Sequence, residues 1–440
     1  MEKSGAGTTK ILTVVFLVVG LCSLPLSAWA KTEVIWWHAN TGWLGDRTND
    51  MVKKFNSIQS EYEVKAAYKG SYPETLTAAI AAYRSKTPPH IIHGQEIATQ
   101  TLLSSGAIYP VYQLLKEQGI KIDWEDYISP LKTYYSKGGN LYSMPYNSST
   151  PILYYNKTIL QKAGVSAQKA PATFEEIEKM AKAAVSSGAT KIGFTMAWPS
   201  WTLMENMHTW HDQPFANNNN GIAATATELK FNGKLGVQIW ELLTRWQKEG
   251  IFTYSGRGSK ADQPISNGEA AIGLASSALV GGMTRLAKFD WGTGPLPRLA
   301  GYPQGNSIIG GGSIWVFKGQ KKEHYKGVAK FFEFLGSPEQ QMWWHANTGY
   351  LPLTRAAIKA LPQDHFRKNP NLWTPFAQIT SGKTTPNSQG IRLGNFIAIR
   401  DIIEAEMENV FSARKTPKQG LNDAVKKGNQ TLKEFASLYK

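Results

Sequence analysis

One cysteine among 440 residues, and that one at position 22, excludes any disulfide within the chain and leaves no thiol chemistry beyond its amino terminus. Apolar runs are short: the longest, Ile11 to Leu21, is about half of the roughly 20 residues a spanning helix needs. Lysine and arginine outnumber aspartate and glutamate by 48 to 33, a formal charge of +15, yet they never gather in a block of five. A scattered basic surface permits anionic ligands, nucleic acid or a membrane as partners and selects none of them. No nucleophile elbow, His-Glu-x-x-His pair or Walker loop occurs. His90 and His93 stand three apart in a strand-like run, hence on opposite faces, while His208 and His211 have no cysteine or carboxylate in a ligand spacing. No metal site and no cofactor is therefore expected.

The first thirty residues read as an export signal. Lys3 and Lys10 give a basic start, Ile11 to Leu21 an apolar centre, and Ala28-Trp29-Ala30 a small-x-small cleavage site. The mature chain is expected to begin near Lys31, in the periplasm, with Cys22 removed; Leu21 disfavours lipidation of that cysteine. A 42% hydrophobic and 18% charged composition over this length is globular, with material for two or three domains.

The pivotal stretch is Pro145 to Lys157. Pro145 and Pro151 disfavour helix at and before themselves, so Asn147 to Thr150 are expected on extended backbone, and Ile152 to Tyr155 form a short buried strand. The chain is expected to pass here from one lobe to another. Before it, strand-like runs at Glu33–His38, Tyr62–Lys69 and His90–His93 alternate with helical segments, the pattern of βαβ units with parallel pairing. Gly70 to Pro73 breaks the second strand, leaving Tyr72 on a loop before a helix from Glu74 to Tyr83. Ligands of such sheets collect beyond the carboxyl ends of strands, where Tyr72 and Glu96 fall.

In the second half, Thr173-Phe-Glu-Glu176 is a helix-capping sequence, and Ile239, Leu242, Leu243 and Trp246 trace a buried helical stripe. Trp198 and Trp201 flank Pro199 and so form no regular apolar face, which suits the wall of a cleft; Asn217 to Asn220 reads as loop. A strand from Ala270 ends at Ser276-Ser277, and a helix starting there would offer free N–H groups beside a hydroxyl. Gly310 to Gly312 interrupt another strand and allow close approach to its backbone. Trp343 to Gly349 repeats Trp36 to Gly42 letter for letter, in helical rather than strand context, and is read as coincidence.

Arg392, between two glycines, has the fork of donors that suits a phosphate or carboxylate. Ser149, Ser276, the Gly310 amide, Tyr72 and Tyr350 are candidate neutral donors, Glu96 an acceptor for polyol hydroxyls, and Trp198 and Trp201 a cover for a carbon skeleton. A secreted glycosidase using Glu96 and Glu205 is a minor alternative. A protein that binds a neutral oligosaccharide in a tryptophan-lined cleft is a stronger one.

Tyr68-Lys-Gly-Ser-Tyr72, Tyr146 to Asn156, Ile308 to Gly311, Thr348 to Pro352 and Arg392 to Asn395 together resemble the periplasmic glycerol-3-phosphate-binding proteins of bacterial ABC importers, from about Thr32 onwards. The resemblance implies an α/β, two-lobed periplasmic binding protein fold, each lobe a mainly parallel sheet flanked by helices. Residues 31–150 and 308–350 would form one lobe, 151–307 and 351–440 the other, with the ligand at the hinge. It also implies phosphate contacts at Tyr72, Ser149, Ser276, Gly310, Tyr350 and Arg392, a glycerol contact at Glu96, and aromatic cover from Trp198 and Trp201. The implied partners are glycerol 3-phosphate, glycerophosphodiesters such as glycerophosphocholine, and the membrane permease of the importer. Neither catalysis nor a nucleic-acid partner is expected, and the chain is expected to be monomeric. Around Trp198 to Asn220 the sequence departs from the family pattern, which bears on ligand breadth.

Overall fold

The computed structural model describes residues 4, 5, 7 and 30–439; the export segment lies almost wholly outside them, as does Cys22. In chain order the strands are β1 (Thr32–His38), β2 (Tyr62–Tyr68), β3 (Ile91–Gln95), β4 (Ile108–Tyr109), the short pair β5 (Ser136–Lys137) and β6 (Asn140–Leu141), β7 (Met144–Ser149), β8 (Pro151–Asn156), β9 (Ile192–Met196), β10 (Ala270–Ser276), β11 (Trp291–Gly294) and β12 (Gly310–Phe317). One sheet has the order β2-β1-β3-β12-β4, with β7 also on β12, and a second has the order β11-β8-β10-β9. Each is the centre of one lobe. The chain leaves the first sheet at Ser149 and enters the second at Pro151, with Thr150 between them, and it returns between β11 and β12.

Pairing is mixed rather than mainly parallel, and the crossings explain why. In the first sheet β12 is antiparallel to β3, β4 and β7, whereas β1 is parallel to β2 and β3. In the second, β8 is antiparallel to β10 and β11, whereas β10 is parallel to β9. The reversed strand of each sheet is the one that arrives from the other lobe: β12 and β8 start at the cleft, and β3, β7 and β10 beside them end there. Consequently the carboxyl ends of β1, β2, β3, β7, β9 and β10, together with the amino end of β12, converge between the lobes. This is the position in which open α/β sheets hold ligands.

Buried indoles anchor both cores, Trp36 and Trp315 in the first lobe and Trp240 and Trp246 in the second. Each such ring contributes roughly 4–6 kcal/mol at about 25 cal/mol per Å² of apolar surface removed from water. The Phe174–Ser186 helix starts as its sequence predicts, with the Thr173 hydroxyl accepting from the Glu176 amide. Residues 351–360, assigned to the second lobe from sequence, pack on the first. Leu351 N–H donates to Ser148 O at 2.7 Å, Ile128 N–H donates to Leu353 O at 3.0 Å, and both leucines join the core around Trp315. The asparagine run is a left-handed turn: Asn218, Asn219 and Asn220 have φ between 51° and 55°, a conformation asparagine tolerates better than most side chains. The two copies of the Trp-Trp-His-Ala-Asn-Thr-Gly heptapeptide lie in β1 and its following turn and in the Pro338–Thr348 helix, two different conformations.

Candidate functional site

A cavity of about 240 Å³ lies between the lobes, and its wall includes Tyr72, Glu96, Ser149, Trp198, Trp201, Ser276 and Tyr350, seven of the nine residues singled out from sequence. Each is delivered by an element that ends at the cleft. Ser149 closes β7, Ser276 closes β10, and Glu96 follows β3. Tyr72 is not on a loop: Ser71 and Glu74 form a capping box, and Tyr72 opens the Tyr72–Arg84 helix with Pro73 in its first turn. Proline does not break the chain there, because its missing N–H has no helical partner to lose in a first turn.

The two tryptophans are held by unusual backbone. Trp198 has φ of +53°, rare for a bulky side chain, and is fixed by its N–H donating to Gly258 O at 2.6 Å and its carbonyl accepting from Thr202 N at 2.8 Å. Trp201 belongs to a π-helical segment, Ser200–Glu205, of the kind that recurs at functional sites. Its ring lies against Gly310, where a Cβ would come within 2.3 Å of it. Gly310 is accordingly covered by Trp201, and its neighbour Gly311 is on the cavity wall instead, as is Gly282 of the other lobe. At Gly311 φ is +95° and a Cβ would fall 2.1 Å from Asn147 O, so the position admits no other residue without rearrangement.

Arg392 is not brought to this cavity. Its guanidinium donates to Ser136 O at 2.5 Å and Ile222 O at 2.8 Å, tying a hairpin of the first lobe to a loop of the second. The cation on the cavity wall, the one such side chain among the described residues, is Arg400. It sits in the Phe396–Phe411 helix, beside the buried stripe of Phe396, Ile399 and Ile403. Its Nε and Nη2 donate to the two oxygens of Glu205 at 2.7 and 2.8 Å, and Nη2 also donates to Glu96 Oε1 at 2.6 Å. Glu96 comes from the first lobe and Glu205 from the second, so the ion triad spans the cleft. The signal was present in the sequence as an arginine on the apolar side of an amphipathic helix. Arg392, flanked by glycines, drew attention because its neighbours look like a ligand loop.

The charges are balanced towards the negative. Burial pushes the Glu96 carboxyl up to about 7, the attraction of Arg400 opposing this and the charge of Glu205 adding to it. Burial also pushes Asp262, another wall residue, up to about 7. Tyr72 and Tyr350 are raised by burial above the ordinary phenol range and remain O–H donors. Arg400 stays cationic: burial works against the charge, and the two carboxylates outweigh it. Glu205 is fully buried, bonded through both oxygens to one guanidinium and absent from the cavity wall, a poor station for a glycosidase carboxylate. A wider compartment of about 640 Å³ adjoins the cavity, shares Tyr72, Trp198, Asp262 and Arg400 with it, and adds Arg257, Asp401 and Glu404. Among the described residues no cluster suited to a metal ion occurs, and no helix is long and apolar enough to cross a membrane.

Known proteins resemble this chain in sequence and in fold. The model of a family described as bacterial extracellular solute-binding protein matches residues 50–374. The sn-glycerol-3-phosphate-binding periplasmic protein UgpB of Brucella abortus (strain 2308) is 40% identical over 429 residues, 97% of this chain and 98% of that one. Its namesake from Escherichia coli (strain K12) is 40% identical over 425 residues, covering 95% and 96%. Among solved structures, UgpB from Mycobacterium tuberculosis in complex with glycerophosphocholine superposes with a TM-score of 0.76 at 19% identity, covering 92% of this chain and 99% of that one. Maltose-bound MalE3 of T. maritima gives 0.73 at 15% identity, covering 90% and 98%. At such identities the structures speak for the fold alone: two lobes of sheet and helix about a central cleft. With the family matched over most of its length and close relatives along nearly all of it, the chain belongs to the bacterial extracellular solute-binding proteins.

Proposed function

We propose that the chain is the substrate-binding component of an ABC importer, which captures sn-glycerol 3-phosphate in the periplasm and delivers it to a membrane permease. One observation carries the reading: Arg400 stands in a crevice beside the hydroxyls of Tyr72, Ser149, Ser276 and Tyr350, contributed by both lobes, with the carboxyls of Glu96 and Asp262 on the same wall. Such a set suits a phosphate, with the guanidinium supplying charge and direction and the hydroxyls neutral bonds. Glu96 takes the hydrogen bonds of the glycerol hydroxyls, and Trp198 and Trp201 cover the carbon chain. Arg400 replaces Arg392 in this assignment, and Gly311 replaces Gly310. Closure of the lobes follows from contacts that the ligand makes with both at once. The chain acts by binding and release, with no bond made or broken.

The adjoining compartment favours a second class of ligand, glycerophosphodiesters such as glycerophosphocholine, whose alcohol group would extend into it past Asp262 and Glu404. Titration calorimetry of the mature chain with glycerol 3-phosphate, glycerophosphocholine and maltose tests these readings. Heats of binding for the two phosphates and none for maltose are expected. Binding of maltose alone would replace the proposal with an oligosaccharide carrier.

A further inference from the structure

Trp43, the second residue of the Gly42–Ser57 helix, plays no part in the site as read from sequence, yet it lies on the cavity wall beside Thr41 and Leu44. Its indole Nε1–H donates to Asn347 O at 2.9 Å, which fixes the ring against the end of the Pro338–Thr348 helix of its own lobe. Two guanidinium groups share the ring. Arg47, one turn further along the same helix, has its Cζ 4.1 Å from the ring centroid, and it is held in turn by Asp50 at 2.7 Å. Arg285 has its Cζ 4.4 Å from the same ring, and it comes from the Leu279–Leu286 helix of the opposite lobe. Nearby, Gly281 of that helix abuts the backbone of Thr348 so closely that a Cβ would fall 2.6 Å from it. The Trp43–Arg285 contact thus joins the two lobes beside the cavity.

We infer that Trp43 is an affinity-determining residue that is at once a wall of the ligand cavity and, through Arg285, a latch between the lobes. The inference rests on the ligand being held in this cavity. A cation over an indole is attracted by the ring quadrupole, most strongly where water is thinned. Opening the cleft separates Arg285 from the ring while Arg47 remains, so the contact is lost on opening. A contact present only when the lobes meet slows release and leaves capture almost untouched. Since the same ring borders the ligand, closure brings wall and latch into place in one movement.

The test uses the mature chain, which has no cysteine after Cys22 is removed. Release and association rates of glycerol 3-phosphate are measured by rapid mixing at about 0.15 M salt, where exposed charges beyond a Debye length of about 8 Å are screened. Arg285→Ala is expected to release roughly 3- to 30-fold faster, the range of one cation–π contact, with association changed less than about threefold. Trp43→Ala should release faster still, Trp43→Phe should recover much of the loss, and the double variant Trp43→Ala/Arg285→Ala should be no faster than Trp43→Ala alone. In parallel, spin labels on Lys53→Cys in the first lobe and Lys162→Cys in the second, both exposed, report the interlobe distance without any ligand added. Trp43→Ala and Arg285→Ala should each lengthen it. If the unsubstituted chain does not bind glycerol 3-phosphate, the ligand assignment falls and the label distances still decide the latch. Unchanged distances in both variants overturn the inference, as do additive effects of the two substitutions on release.

Discussion

Exchanging the two arginines gives the sharpest prediction. Arg400 donates three short bonds to Glu205 and Glu96, which are 0% and 2% exposed, so solvent screens little of the interaction. Removing one partner of a buried ion pair costs about 3–5 kcal/mol, and Arg400→Ala leaves two carboxylates without their cation. Glu96, already near 7, relieves part of this by taking up a proton. Arg400→Lys is the better probe, because it retains the charge but cannot bond both oxygens of Glu205 and a ligand together. A hydrogen bond to a charged group contributes about 1.5–3 kcal/mol, so Arg400→Lys should weaken glycerol 3-phosphate binding by roughly 10- to 150-fold while the fold persists. Arg392→Ala is expected to behave in the opposite way. It strands the carbonyls of Ser136 and Ile222, at about 1–3 kcal/mol each, and leaves the dissociation constant within about twofold. Urea titration measures the first effect and calorimetry the second. Loss of binding in folded Arg392→Ala, with Arg400→Lys unaffected, would refute the assignment.

Gly311→Ala should fold less stably by about 1–3 kcal/mol and bind more weakly, since its φ of +95° and the nearby Asn147 carbonyl exclude a Cβ; melting temperature and calorimetry check this. Trp198→Gly and Trp198→Ala lose the same wall, but the glycine variant escapes the cost of a left-handed backbone and should be about 1 kcal/mol the more stable in urea. Glycerophosphocholine keeps a single negative phosphate charge near neutrality, so its affinity should follow Glu96: tighter at pH 6 than at pH 8 by about 3- to 10-fold, as protonation removes a negative charge and frees a bond of Arg400. Glu96→Gln should abolish the trend in calorimetry. Burial lowers His38, His90, His208, His211 and His345 to about 4 and His93 to about 3, so their contribution to stability is complete above the unfolded value near 6.5 and is lost as pH falls towards 4. Glu96, Glu404 and Asp262, raised to about 7, act in the opposite sense, favouring the folded state as they protonate. With six groups against three, the melting temperature should be lower at pH 4.5 than at pH 7 in calorimetric scans.

Seven residues of the wall were legible because strand ends and helix starts carry strong local marks. Ser149 stood between two prolines, Ser276 closed a small-residue strand, and Trp198 and Trp201 interrupted any regular period. What escaped depended on distance in sequence. The place of Arg400 on the apolar side of its helix is a local mark, but its partners Glu96 and Glu205 stand about two hundred or more positions away, contacts that no window of neighbouring residues contains. Strand direction escaped for the same reason: β12 resembles any strand after a glycine turn until its origin in the other lobe is known. The apolar residues from Leu351 to Ala360 would suit either core, and only bonds to the distant Ser148 and Ile128 declare which one the stretch joins.

The position of β12 has a consequence for biosynthesis. It is hydrogen-bonded to β3, β4 and β7, so the first sheet lacks its connecting member until everything from Pro151 to Ile309 has been made. An emerging polypeptide therefore finds no finished half to fall into, and long-range closure is slow. Under the export expected from the first thirty residues, such a delay would keep the chain soft enough to be threaded across a membrane.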